Sequence, residues 1–131
     1  MINEAAAIIT RAIQNSPTIG PSKLAVVIVG ELLDLGWTLP DLSSGIDRDL
    51  DPLAVFAYEA GHTPRGWAVR TISIHIDTWA TVSAARRQNP TSFPIWRLDL
   101  SVEALATRLV GHLLDGGWSP PGGLVDAEVP A

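Results

Sequence analysis

The chain has 131 residues, 47% hydrophobic and 18% charged, a composition that fits one globular domain with its own core and excludes a disordered segment. It contains no cysteine, so disulfide scaffolds, thiolate metal sites and cysteine nucleophiles are excluded, and a reducing compartment is the natural setting. A net charge of −5 argues against general nucleic-acid binding.

The charge is segregated. Residues 1–60 carry three basic and eight acidic side chains, whereas residues 61–100 carry five arginines against Asp77 and Asp99. Residues 101–131 return to acidic, with Arg108 against four acids. The opening Met1-Ile2-Asn3-Glu4 lacks the basic start and apolar run of a signal peptide. The longest apolar run, Leu24 to Gly30, is far below the roughly 20 residues that span a bilayer. A soluble, cytoplasmic protein without membrane contact is expected.

The first predicted helix places Ala5, Ile8, Ile9, Ala12 and Ile13 on one face, with Asn3 as a candidate N-cap and Asn15-Ser16-Pro17 as its end. The second follows Gly20-Pro21-Ser22. Its stripe of Leu24, Val27, Ile28, Leu32 and Leu35 is widened by Val26 and Val29, which predicts a helix central to the core. Residues 40–51 form a polar connection.

Residues 53–60 admit two readings. Asp51-Pro52 and Gly61 are suitable helix ends, but Val55-Phe56-Ala57-Tyr58 also suits a strand entering a hairpin through Gly61 to Gly66. Ile72, Ile74 and Ile76 alternate with polar residues and predict a strand. Residues 78–88 either extend it or form a helix capped by Asp77, and Asn89-Pro90 breaks either one. A second strand is predicted through Trp96, Leu98 and Leu100. The last helix follows Ser101, buries Leu105, Leu109 and Leu113 with Val102, Val110 and Leu114, and stops at Gly116-Gly117 before Pro120 and Pro121. The predicted fold is therefore α+β: three to four helices on a small, mainly antiparallel sheet of two to three strands. One domain covers residues 1–121, with a flexible tail over 122–131.

One motif occurs twice. The run Val29-Gly30-Glu31-Leu32-Leu33-Asp34-Leu35-Gly36-Trp37-Thr38-Leu39-Pro40 returns as Val110-Gly111-His112-Leu113-Leu114-Asp115-Gly116-Gly117-Trp118-Ser119-Pro120-Pro121. Leu24-Ala25 and Leu105-Ala106 extend the match. Gly36 and Gly117 sit where a left-handed residue ends a helix, and the tryptophan that follows is placed to fold back on Leu32 or Leu113. Gly30 and Gly111 fall inside the helices, where glycine is unfavourable by about 1 kcal/mol, and point to a close crossing of these two helices; the competing reading is two similar helices that never touch.

Enzyme signatures are missing. His75 and Asp77 share a face of the predicted strand, but a wet sheet face explains two such polar residues without a metal. Neither Ser73 nor Ser83 sits in a Gly-x-Ser-x-Gly elbow. The spacing from Gly61 to Gly66 lacks the Lys-Ser/Thr of a phosphate loop. No catalytic residue, cofactor, metal or small-molecule substrate is predicted. The best candidate surface is Arg65, Arg70, Trp79, Arg86, Arg87 and Arg97, where arginines interleave with Trp67, Trp79 and Trp96. The competing reading puts the tryptophans in the core and the arginines on a solvated face.

The ending Leu113-Leu114-Asp115-Gly116-Gly117-Trp118-Ser119-Pro120-Pro121 resembles endings common among small uncharacterised proteins of actinobacterial phages and their hosts, and eight arginines against one lysine agree with that source. A fainter similarity, over Trp67 to Arg87, is to tail-completion proteins of long-tailed phages, although those return to a strand where this chain continues into a helix. The resemblance implies a phage-related source and carries no activity; the expected function is a non-enzymatic accessory protein acting on a host or phage protein, or by self-association. A virion neck or tail component and a weak nucleic-acid binder using residues 65–97 are the alternatives.

Overall fold

A computed structural model describes residues 2–15, 19–88 and 101–121. It contains helices α1 (Ile2–Asn15), α2 (Pro21–Leu35), α3 (Pro52–Glu59), α4 (Pro64–Gln88) and α5 (Val102–Asp115). Among the described residues there is no strand, and the only β pairing is an isolated antiparallel bridge between Thr38 and Ser119. The α+β expectation is overturned: the fold of the described residues is all-helical.

The misreading centres on α4. Ile72 and Ile76 are four residues apart, so they lie on one helical face, and both are buried. Ile74, between them, points outward at 52% exposure. An apolar residue at every second position therefore serves a helix as well as a strand, with the middle one left wet. Trp67 and Ala68 extend the same buried stripe toward the start of α4. The strand preference of isoleucine, on a scale spanning only about 1 kcal/mol, yields to that packing. Asp77 lies in mid-helix and caps nothing, and 78–88 belongs to α4. The strand predicted through Trp96 to Leu100 lies outside the described residues, as does the tail 122–131.

Local chemistry sets the helix ends. Thr63 Oγ1 accepts from the Gly66 N–H at 3.0 Å, with Pro64 in the first helical position of α4. Asp51 does the same for Leu53 ahead of α3, and Ser101 for Ala104 ahead of α5. The 53–60 alternative thus resolves as helix. The supposed hairpin turn is a helix stop: Gly61 is left-handed (φ 94°), and the N–H of His62 reaches back to the Ala57 carbonyl. Asn3 lies inside α1 and does not precede it.

The repeated motif takes the same form twice. Gly36 and Gly117 are left-handed, with φ of 115° and 98°. The Trp37 N–H donates to the Leu32 carbonyl at 3.0 Å and the Trp118 N–H to the Leu113 carbonyl at 3.0 Å. Gly36 and Gly117 donate to Leu33 and Leu114, completing two equivalent glycine caps. Both indoles are buried in one common core. The buried positions correspond too: Leu24, Ala25, Ile28, Val29 and Leu32 on α2 match Leu105, Ala106, Leu109, Val110 and Leu113 on α5.

Beyond the caps the two tails cross. Thr38 and Ser119 exchange backbone hydrogen bonds of 2.9 and 3.0 Å. A Cβ on Gly36 would stand 2.8 Å from Pro121 Cβ, and one on Gly117 2.9 Å from Pro40 Cβ. Helix packing follows the same exchange, because α2 lies mainly on α4 and α1 mainly on α5. Swapping α1 with α4 and α2 with α5 maps each main contact onto the other. The molecule is a pseudo-two-fold pair of helical hairpins, with α3 added to the second.

Two expectations about this core need correction. The repeated helices do not cross at their glycines: α2 and α5 are not a principal packed pair, and a Cβ on Gly30 or Gly111 would meet nothing within 4 Å. Nor is α2 buried on most sides, since Val26 and Val27 are 50% and 40% exposed. Gly30→Ala and Gly111→Ala are therefore each expected to raise stability by about 0.5–1 kcal/mol, measured as a shift of the urea midpoint. A loss of stability in either variant would mean that a close approach exists after all.

Candidate functional surfaces

The candidate arginines do not form one surface. Arg65 and Arg70 lie in the first half of α4, whereas Arg86 and Arg87 occupy its last turn, where cations complement the helix dipole. A rise of 1.5 Å per residue puts Arg70 and Arg86 roughly 24 Å apart along the axis. At about 100° per residue the four fan around the helix instead of forming a stripe. Trp67 is core, its ring edge-on to Tyr58 at 5.9 Å between centroids. Trp79 is half-buried. Arg97 and Trp96 lie outside the described residues.

What the structure does bring together is Arg65 and Arg70 in a groove with Ser22, Thr63 and Ser73. The Ser22 and Ser73 hydroxyl oxygens are 3.4 Å apart, so Ser73 faces another hydroxyl. An acid-free stretch between Glu59 and Asp77 was the sequence signal for this groove.

His75 and Asp77 do not share a face, because two residues turn a helix by about 200°. The His75 ring instead packs at a tilt of 42° against His112 of α5, with centroids 4.2 Å apart, and its Nδ1 donates to the Thr71 carbonyl at 2.8 Å. No group of three or more metal-ligating side chains occurs among the described residues. Burial, then the neighbouring His75, holds the His112 pKa below its ordinary 6.5. Arg108 acts in the same direction, while Asp115 and Asp51 oppose it.

The unfolded chain therefore takes up this proton first. The contribution of His112 to stability is full above about pH 6.5 and is lost as the pH drops from there toward the folded-state pKa. Urea melts at pH 7.5 and 5.5 are expected to show this loss, and His112→Gln to reduce it. An equal loss in the variant would clear His112 of the effect.

Residues 53–60 supply a surface that the sequence reading missed. Ala54, Val55 and Tyr58 face inward, and the Tyr58 hydroxyl donates to the Gly116 carbonyl at 2.8 Å. Burial raises that phenol's pKa to about 12. The opposite face exposes Leu53 at 74% and Phe56 at 73%, the two most exposed large apolar side chains described. An almost wholly apolar helix of eight residues cannot hide both sides against one neighbour, and that was the available signal.

No family model, curated protein or solved structure matches this chain. The phage resemblance gains no support from these comparisons. What the fold defines is a class, a duplicated helical-hairpin protein with an added apolar helix. No helix among the described residues is long and apolar enough to cross a membrane.

Proposed function

We propose that this is a non-enzymatic accessory protein that works in the cytoplasm by inserting the outer face of α3 into an apolar groove of a different protein. The observation that carries this reading is the exposure of Leu53 and Phe56, three residues apart on a helix whose other face is buried. Apolar anchors at that spacing are the usual content of helix-in-groove recognition. The full absence of cysteine supports the compartment.

Area argues for a larger partner over a second copy. Two such side chains offer roughly 300 Å² per molecule, so two facing copies would bury about half of what a stable interface needs. Charge narrows the chemistry further. Asp47 and Asp49 are exposed just before α3, and Glu59 ends it in an ion pair with Arg48 at 2.9 Å. A groove with a basic rim matches this acidic surround.

A photo-crosslinking benzophenone side chain at position 56, introduced in the source organism, tests the reading. One discrete heterologous adduct is expected, absent when the probe sits at exposed Thr81. The captured protein, purified, should bind the wild type at least tenfold more tightly than Leu53→Asp, with no change in melting. Adducts between copies of this chain, or equal adduct formation at positions 56 and 81, would overturn it.

A further inference from the structure

The groove at the start of α4 has no role in the α3 reading, and its chemistry is unusual for an acidic protein. Arg65 and Arg70 both line it, together with Ser22, Thr63 and Ser73, and no acidic side chain does. Neither guanidinium pairs with a carboxylate among the described residues. The nearest acids in sequence are Glu59, already engaged, and Asp77.

Hydrogen-bonding capacity is lopsided. Each guanidinium carries five N–H donors and no acceptor. Thr63 Oγ1 accepts from Gly66, which leaves its own proton uncommitted. Ser22 and Ser73 can satisfy one another with one proton and still offer the second. A cation would be repelled here and a neutral acceptor would leave charge uncompensated. A multi-oxygen anion matches the donors, because arginine forks engage two oxygens at once.

Two positive charges in one groove balance a dianion better than a single carboxylate. Ser22 and Arg65 also belong to the first turns of α2 and α4, so two helix N-termini add partial positive charge. The rest of the wall is apolar: Val69 is half-buried and Ile74 is half-exposed beside the arginines. A ligand with an apolar body beside its anionic group would cover that surface. We infer that this groove is a binding site for a small organic phosphomonoester, its phosphate held by Arg65 and Arg70 and its apolar body lying on Val69 and Ile74.

Titrating the full chain with phenyl phosphate, followed by amide nitrogen–proton shifts, tests the assignment. Saturable shifts confined to residues 22–23 and 63–74 are expected, with inorganic phosphate weaker and phenol silent. Arg65→Gln and Arg70→Gln should each weaken phenyl phosphate by about tenfold or more, and Arg11→Gln on α1 should not. Ile74→Gln should weaken phenyl phosphate but leave inorganic phosphate unchanged. Non-saturating or scattered shifts in the wild type would overturn the site without recourse to any variant. Equal affinity for benzoate and phenyl phosphate would overturn the choice of phosphate.

Discussion

Trp118→Ala is expected to destabilise the protein by about 3–5 kcal/mol, and Trp37→Ala by a similar amount. Each indole is 2% exposed and belongs to the single core, so truncation opens a cavity that the crossed tails cannot collapse into without breaking the Thr38–Ser119 pairing. The equivalence of the two costs is the more searching part. Both rings follow a left-handed glycine, both backbones bond to a leucine carbonyl, and each glycine meets the proline of the opposite tail. Both indole N–H groups are buried without a hydrogen-bond partner, so Trp→Phe at either site loses volume but no hydrogen bond and should cost less than Trp→Ala. Urea melts measure all four variants. A Trp118→Ala change below 1 kcal/mol would refute the burial, and a large cost at only one tryptophan would refute the pseudo-symmetry.

Gly116→Ala should cost about 3 kcal/mol, at the upper end for overpacking. Backbone strain is not the reason, since φ −85° and ψ 3° suit any residue. The added Cβ would fall against the Trp67 ring, closer than any real contact. That ring is itself buried and edge-on to Tyr58, whose hydroxyl is tied to the Gly116 carbonyl, so three groups must shift together. The double variant with Trp67→Phe should recover part of the loss, because the smaller ring retreats from position 116. Strict additivity of the two single changes would exclude the proposed clash. This contact also explains where the repeat departs from itself. Leu35 occupies the matching position in the first hairpin, whereas Gly116 in the second lies against the Trp67 ring.

Of the candidate surfaces, the arginine set shows how far spacing can mislead. Arg65, Arg70, Arg86 and Arg87 are close in sequence, and a strand with a turn would have gathered them. A 25-residue helix draws them out along its length instead. Only Arg65 and Arg70 meet in one groove, with Ser22 contributed by a distant part of the chain. Leu53 and Phe56 were hidden for a different reason: with 53–60 open between helix and strand, no face was defined on which they could be exposed.

The glycine-terminated ends of α2 and α5 and the matched buried faces of these two helices are legible in the residues alone. Those features depend on short-range chemistry: a glycine free to take positive φ, an apolar side chain directly after it, and apolar residues at helical spacing. Long-range packing is what coils Ile72 to Ile76 into α4, makes the two hairpins exchange partners and crosses the tails at Thr38 and Ser119. An alternating apolar run suits two secondary structures almost equally. The difference is settled by which long-range surface stands ready to cover it, here the packed face of α2.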